Sequence, residues 1–314
     1  MKKLTKKSFD SVRSWIYRNA RQIELSIWQY EFENGKKEEI LSALSLFQNS
    51  DGGFGNALEP DSWNPNSSPY TTLWAIDILK NIDFSDINHQ IMQGIFMFLE
   101  SGVHSNENGW FFNIPSNDNY PHAPWWKYNP EENEYEHIGV SAGIICFLLK
   151  YANKETKLYE RAISIANTLI CKLKEASNYG DMGVDGYYTL LGTINKLGLT
   201  EKFDINFLTE RTKELVYNAI ERDVSKWAYY GNRPSSFITS TNSLFYEDNK
   251  DILELELDYI IETKPENGVW GITWSWFDNN EKYPKEFAIS ENWWKADCAI
   301  SKLKLLRNFN RIEK

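Results

Sequence analysis

Cysteine is scarce in this chain, with three residues in 314 and therefore an odd count. Cys146, Cys171 and Cys298 all fall in apolar, helix-like surroundings, so they read as reduced, mostly buried thiols of a cytoplasmic protein. No histidine is placed by sequence to activate one of them. Apolar runs long enough to span a membrane are also missing. The start, MKKLTKK, passes directly into SFDSVRSW without an apolar segment, which excludes a secretory signal as the expectation. There is no basic excess either. The 44 acids against 34 bases give a net charge of −10, a surface that repels nucleic acid and anionic lipid. Finally, strand-like alternation is nearly absent, and helical periodicity runs throughout.

What the chain does have is apolar and aromatic bulk. Hydrophobic residues make up 42% and aromatics 15%, with 13 tryptophans. Indole has a broad face and one donor, so this content suits a wide helical core or a cavity for an apolar or sugar-like ligand. The length admits two domains or one large closed architecture. No Pro/Ser-rich linker interrupts the pattern, so one domain over 1–314 is the expectation.

Residues 8 to 32 place Phe9, Val12, Ile16, Ile23, Ile27 and Tyr30 at helical spacing, with Ser8 as the N-cap. KKEEILSALSLF follows the stop at Asn34-Gly35, and SSPYTTLWAIDILKNI puts Pro69 in a first helical turn. From there an amphipathic helix leads into a loop rich in Gly, Asn and Trp, and the loop into a more apolar helix, again and again. Second helices are expected near residues 69, 137, 187, 236 and 291. Amphipathic helices paired with helices apolar nearly all round describe two concentric rings, so the expected fold is all-α. It is an α/α toroid, a barrel of about five to six helical hairpins. Its outer-to-inner loops would gather at one mouth, beside the positively polarised N-termini of the inner helices.

The loops carry a family resemblance. QNSDGGFG, Gln48 to Gly55, resembles the QW repeat of triterpene cyclases and the Gln-x-x-Asp-Gly-Gly-Phe turn of protein prenyltransferase β subunits. PENGVWG (265 to 271) resembles a diverged copy with Glu266 in place of Gln, and ENGWF (107 to 111) a weaker third. The DGGFG…EPD turn, the PHAPWW loop and the terminal Arg-Ile-Glu are similar to those of a smaller, prenyltransferase-like branch of that toroid superfamily. The turn is a structural staple: Asp51 and Asn267 suit turn positions, and Gly52, Gly53 and Gly268 permit positive φ. It implies a fold and no reaction. The catalytic signatures of the families are missing, both the Asp-x-Asp-Asp run and the Asp-Asp-x-x-Asp motif. Asp297-Cys298 is adjacent rather than spaced as in the zinc pair, and no histidine follows His137, so no metal or other cofactor is expected.

Glu59 and Asp61 flank Pro60, which fixes the backbone around both carboxylates. A partly buried member of that pair would serve as a general acid, and a structural cap is the alternative role. YPHAPWWKYNP (120 to 130) is an unusually apolar loop in which His122 would carry a proton. Trp63, Trp125 and Trp126 would supply stacking faces; a packed lid is the alternative. Asp185 is the next candidate carboxylate, beside Tyr187 and Tyr188 at an inner-helix start. Trp274 and Trp276 (period two, one face), Trp293 and Trp294, and the loop base Arg233 complete the substrate-facing set. His137 reads as a satisfied core histidine, and Glu136 and Glu291 as charges at inner-helix starts.

Three function classes fit these residues. The first is an enzyme acting on an isoprenoid or other apolar substrate in the central cavity by acid catalysis. The second is a carbohydrate-active α/α barrel, and the third a non-catalytic toroid that binds lipid or protein.

Overall fold

The structure, a computed structural model, describes residues 1–175 and 178–313, and these are overwhelmingly helical. Twelve α-helices occur among the described residues: α1 (Lys6–Asn19), α2 (Gln22–Phe32), α3 (Lys37–Ser45), α4 (Pro69–Asn81), α5 (Gln90–Ser101), α6 (Asn133–Tyr151), α7 (Lys157–Glu175), α8 (Gly183–Leu197), α9 (Ile205–Ala219), α10 (Tyr246–Glu262), α11 (Asn279–Lys282) and α12 (Pro284–Asn308). One two-stranded hairpin, β1 (Ser105–Asn106) with β2 (Gly109–Trp110), interrupts them. Packing divides the chain into two compact units, Met1–Leu44 with Tyr217–Lys314, and Ser45–Val216. No helix among the described residues is long and apolar enough to cross a membrane.

In the first unit the expected helix over 8–32 is two helices. Ala20 and Arg21 are extended, and α2 restarts at a capping box in which the Glu24 carboxylate accepts the Arg21 backbone N–H at 3.1 Å. Apolar spacing continues across the break, so periodicity alone does not register it. The N-cap of α1 is Thr5 rather than Ser8; Thr5 Oγ1 accepts the Ser8 N–H at 3.2 Å. The ends of the chain lie together here. Leu4 bridges Ile312 in parallel, and Arg311, 1% exposed, donates to the Lys2 carbonyl and Asp258 at 2.7 Å each and also pairs with Glu254.

An inner helix near 236 is not formed. Pro234–Ser236 make one 3-10 turn, and the hydroxyls of the following serines bind local backbone N–H groups. Ser243 Oγ accepts the N–H groups of Thr239 and Ser240 at 3.1 Å each, Ser240 Oγ accepts that of Asn242 at 3.2 Å, and Phe245 turns left-handed. Side chains that satisfy local N–H groups remove the reason to wind a helix. The last helix starts at Pro284 rather than near 291, so Trp293, Trp294 and Glu291 lie inside it; Glu291 pairs with Lys295 one turn on, at 2.8 Å.

The second unit is more regular. Ser68 caps α4 by accepting the Thr71 N–H at 3.0 Å, and Pro69 fills the first turn as expected. Helices α6 and α8 begin one turn earlier than expected, at Asn133 and Gly183. They approach closely through Gly139 and Gly186, where a Cβ on Gly186 would lie 2.9 Å from the Gly139 Cα. The expected end of α7 at Ala176 lies outside the described residues.

The QW-like turn behaves as a staple inside this unit. Gln48 Nε2 donates to the Gly52 carbonyl at 2.9 Å and to the Ile91 carbonyl at 3.1 Å, tying the loop to α5. Gly52 has φ +87°, and its missing Cβ would collide with the Gly94 carbonyl, so two glycines permit one backbone crossing. Phe54 is fully buried. The weaker copies follow the same logic: Trp110 and Trp270 are buried beside Gly109 and Gly268, both at positive φ.

Candidate functional site

The residues after the QW-like turn run straight into the candidate site. Asn56 and Ala57 are consecutive non-glycine residues in the left-handed region, at φ 58° and 57°. Such backbone costs about 1–3 kcal/mol per residue and persists where surroundings impose it. Here the Asn56 N–H donates to the Asn64 carbonyl at 3.0 Å, and Asn56 Nδ2 to Asn49 Oδ1 at 3.1 Å. The strained pair delivers Leu58, Glu59, Pro60 and Asp61 into the interior: Glu59 is 2% exposed and Asp61 1%.

The PHAPWW loop docks on the same residues. Ser62 and His122 form an antiparallel bridge, the Trp63 N–H donates to the Pro121 carbonyl at 2.9 Å, and the Ala123 N–H to the Asp61 carbonyl at 2.9 Å. Asn64 extends the seam, donating to Ser116 Oγ and Asn117 Oδ1 at 2.8 Å each. Asn117 Nδ2 in turn donates to the Trp126 carbonyl at 3.0 Å. Glu59, Asp61 and His122, chosen from two distant loops, are thus brought to one buried junction. His122 Nδ1 lies 2.8 Å from the Tyr120 carbonyl. A carbonyl only accepts, so the Nδ1 position carries a proton.

Helix α4 leads from this junction to a second group of acids. Tyr70 packs edge-on to Trp126 at 4.4 Å and lies 6.5 Å from Trp74, and one turn further on the same face is Asp77. Asp77 lines a cavity of about 140 Å³ between α4, α6 and α8, with Thr189 and Thr193 of α8 opposite. Asp185 stands one helical turn before Thr189. Loss of hydration raises the carboxyl of Asp77, against the pull of Lys80 3.7 Å away. Desolvation and then the Asp77 charge raise Asp185 to about 6. Both side chains are nonetheless exposed, Asp77 by 52% of its side-chain area. Glu136, in the first turn of α6, is pushed to about 7 by desolvation although it accepts the Asp181 N–H at 3.0 Å. Burial holds the Cys146 thiol at about 11, which keeps it protonated and unreactive. Of the three cysteines it alone is buried; Cys298 is half-buried and Cys171 exposed.

Several of the expected substrate-facing side chains are engaged in packing. Tyr187 is fully buried and donates its hydroxyl to the Leu169 carbonyl at 2.8 Å, whereas Tyr188 stays half-buried on the Asp185 side. Trp126 is 3% exposed and stacks on Phe112 at 4.8 Å; its neighbour Trp125 is half-buried, as is Trp63. In the other unit Trp276 is buried against Phe287 at 5.8 Å, while Trp274 remains half-buried between Tyr230 and Trp294, at 6.2 and 5.1 Å. The two indoles therefore do not share an environment, since their segment forms no strand. Arg233 donates to the Trp227 carbonyl and lies over the Tyr259 ring at 5.5 Å, a brace for its own loop. Trp293 carries the Arg21 guanidinium on its face at 4.4 Å. On the same helix, desolvation raises Asp297 to about 6.

His137 is satisfied as expected of a core histidine, with Nδ1 3.2 Å from Ser141 Oγ and Nε2 3.0 Å from Lys172 Nζ. Burial lowers it to about 4, so it is neutral and Lys172 donates to it. Asp77 is the functional candidate that sequence reasoning missed; its signal was a carboxylate inside the otherwise apolar WAIDIL turn. Glu136 was taken for a helix-end charge alone. Among the described residues no group of three or more His, Cys, Asp or Glu side chains is arranged to hold a metal ion. Comparison with protein-family models, curated proteins and solved structures gives no match.

Proposed function

We propose that this chain closes into the α/α toroid its QW-like turns resemble and acts, in a reducing compartment, as an acid–base enzyme on a largely apolar, isoprenoid-like substrate. The observation that carries this reading is the pair Asp77 on α4 and Asp185 on α8, both held toward their protonated forms, with Asp77 lining the cavity and Asp185 one helical turn before Thr189, which also lines it. A carboxyl with a pKa of about 6 is about half protonated at pH 6 and roughly a tenth at pH 7, so it gives and recovers a proton within the neutral range. Tyr70, Trp74 and Tyr188, half-buried on the faces of α4 and α8 that carry these acids, offer π-faces to a positive charge developing on an apolar chain. His122 and the buried Glu59 and Asp61 are the further ionisable groups of the junction beside Tyr70 and Trp126.

A carbohydrate substrate is the second reading, favoured by the same acid pair, because glycosidic cleavage also needs two carboxyls, one of them protonated. A substrate panel of prenyl alcohols, prenyl epoxides and aryl glycosides separates the two. Turnover should fall at least about a hundredfold in Asp185→Asn and Asp77→Asn, the range expected for loss of a general acid or base. Wild-type turnover in both variants would end the acid–base reading, and turnover of glycosides alone would select the second.

A further inference from the structure

The cavity between α4, α6 and α8 has a cationic rim that neither reading requires. Lys80, Lys150 and Lys196 come from the last turns of three neighbouring helices, and all three line this one cavity. All are exposed; Lys80 pairs loosely with Asp77 at 3.7 Å and Lys150 lies over the Tyr151 ring at 4.6 Å. Each also complements the partial negative charge of its own helix end, which accounts for one lysine per helix. It does not account for three of them bordering a hollow whose walls include Leu79, Phe84 and Phe147. Asp77 and Asp83 line the same cavity and subtract from the positive charge, but three lysines against two carboxylates leave the balance cationic.

We propose that this cavity binds a ligand with a single anionic head on a short apolar chain, the head at Lys80, Lys150 and Lys196 and the chain against Leu79, Phe84 and Phe147. Size sets the chain length. At about 140 Å³ the hollow matches cavities that hold one benzene ring, so it encloses about six carbons. The head is a carboxylate or a phosphate monoester, since three mobile point charges select charge rather than the planar, bidentate geometry that arginine reads. Binding stands on the cavity alone; that the ligand is also the substrate rests on the acid–base reading above.

Titration calorimetry on the full chain with octanoate, octyl phosphate and 1-octanol tests this directly. Octanoate or octyl phosphate should bind at least about tenfold more tightly than octanol, and the difference should shrink as salt rises. The double variant Lys150→Gln/Lys196→Gln, which changes two exposed side chains, should lose about tenfold in affinity for the anion and nothing for octanol. Whichever anion binds better identifies the head. Octanol binding as tightly as both anions, no binding of any of the three, or unchanged anion affinity in a double variant whose melting temperature is that of the wild type would overturn the proposal. Asp185→Asn keeps the two ideas apart: it should retain octanoate binding, and if it also retains turnover, the acid–base reading fails while the binding site stands.

Discussion

Arg311 is buried among acids, whereas Asp77 and Asp185 keep accessible area beside desolvating neighbours, and the protein treats the two in opposite ways. Arg311 meets Asp258, Glu254 and the Lys2 carbonyl, so its charge is compensated where it lies. In return Arg311 helps to lower Asp258, whose accepted hydrogen bonds outweigh its desolvation. Around Asp77 and Asp185 the balance is reversed: like charge adds to desolvation, and Lys80 offsets them in part. Compensated buried charge fixes a structure, whereas under-compensated charge keeps a proton in play. The first pattern marks the junction of the chain's two ends, the second the site we assign to chemistry.

The largest expected effect breaks the compensated side. Arg311→Ala strands Asp258 and Glu254 and parts the Leu4–Ile312 bridge, with an expected loss of about 3–5 kcal/mol in denaturant unfolding. Arg311→Met keeps the bulk without the donors, and an equal loss would show that charge, rather than volume, holds the ends. Next comes the staple. Gly52→Ala forces a side chain into φ +87° and against the Gly94 carbonyl, for about 2–4 kcal/mol. Asn64→Ala removes the bonds to Ser116 and Asn117 that dock the PHAPWW loop, costing about 1–3 kcal/mol. Its turnover should fall by more than its stability explains, because His122 is held by that docking; a variant destabilised but fully active below its melting temperature would detach the loop from function.

How far the sequence foretold this follows from which forces act locally. The Pro69 start of α4, the positive φ of Gly52 and Gly268 and the burial of Phe54, Trp110 and Trp270 are dictated by nearby residues, and they were legible. Glu59, Asp61 and His122 were picked out by composition, but their meeting depends on backbone bonds between residues some sixty positions apart, such as Trp63 to Pro121. The break at Ala20–Arg21 escaped because a capping box can restart a helix without disturbing its apolar phase. Segment 237–245 has helix-like apolar spacing, but its hydroxyls bind local backbone N–H groups and no helix forms. Asp77 was passed over because a single acid in an apolar helix has no motif, and its role depends on what faces it from α8.

The smallest effect sharpens the comparison from the under-compensated side. Asp185 has its folded pKa raised to about 6 from an ordinary 3.8, so the folded state binds more protons than the unfolded one between those values. Stability from this group is therefore fully present below about pH 4 and is lost as pH rises through 6, the opposite of the Asp258 contribution, which is lost on acidification. Asp185→Asn should change the melting temperature little at pH 4 and raise it at pH 8. The gain is roughly a fraction of a kcal/mol, because Asp185 is exposed and solvent screens its charge. Asp258→Asn should do the reverse, destabilising at pH 8 and progressively less so as acid protonates the wild-type carboxyl. If both variants shift melting in the same direction at pH 8, the contrast between a compensated and an under-compensated acid is wrong, and Asp185 is an ordinary surface carboxylate.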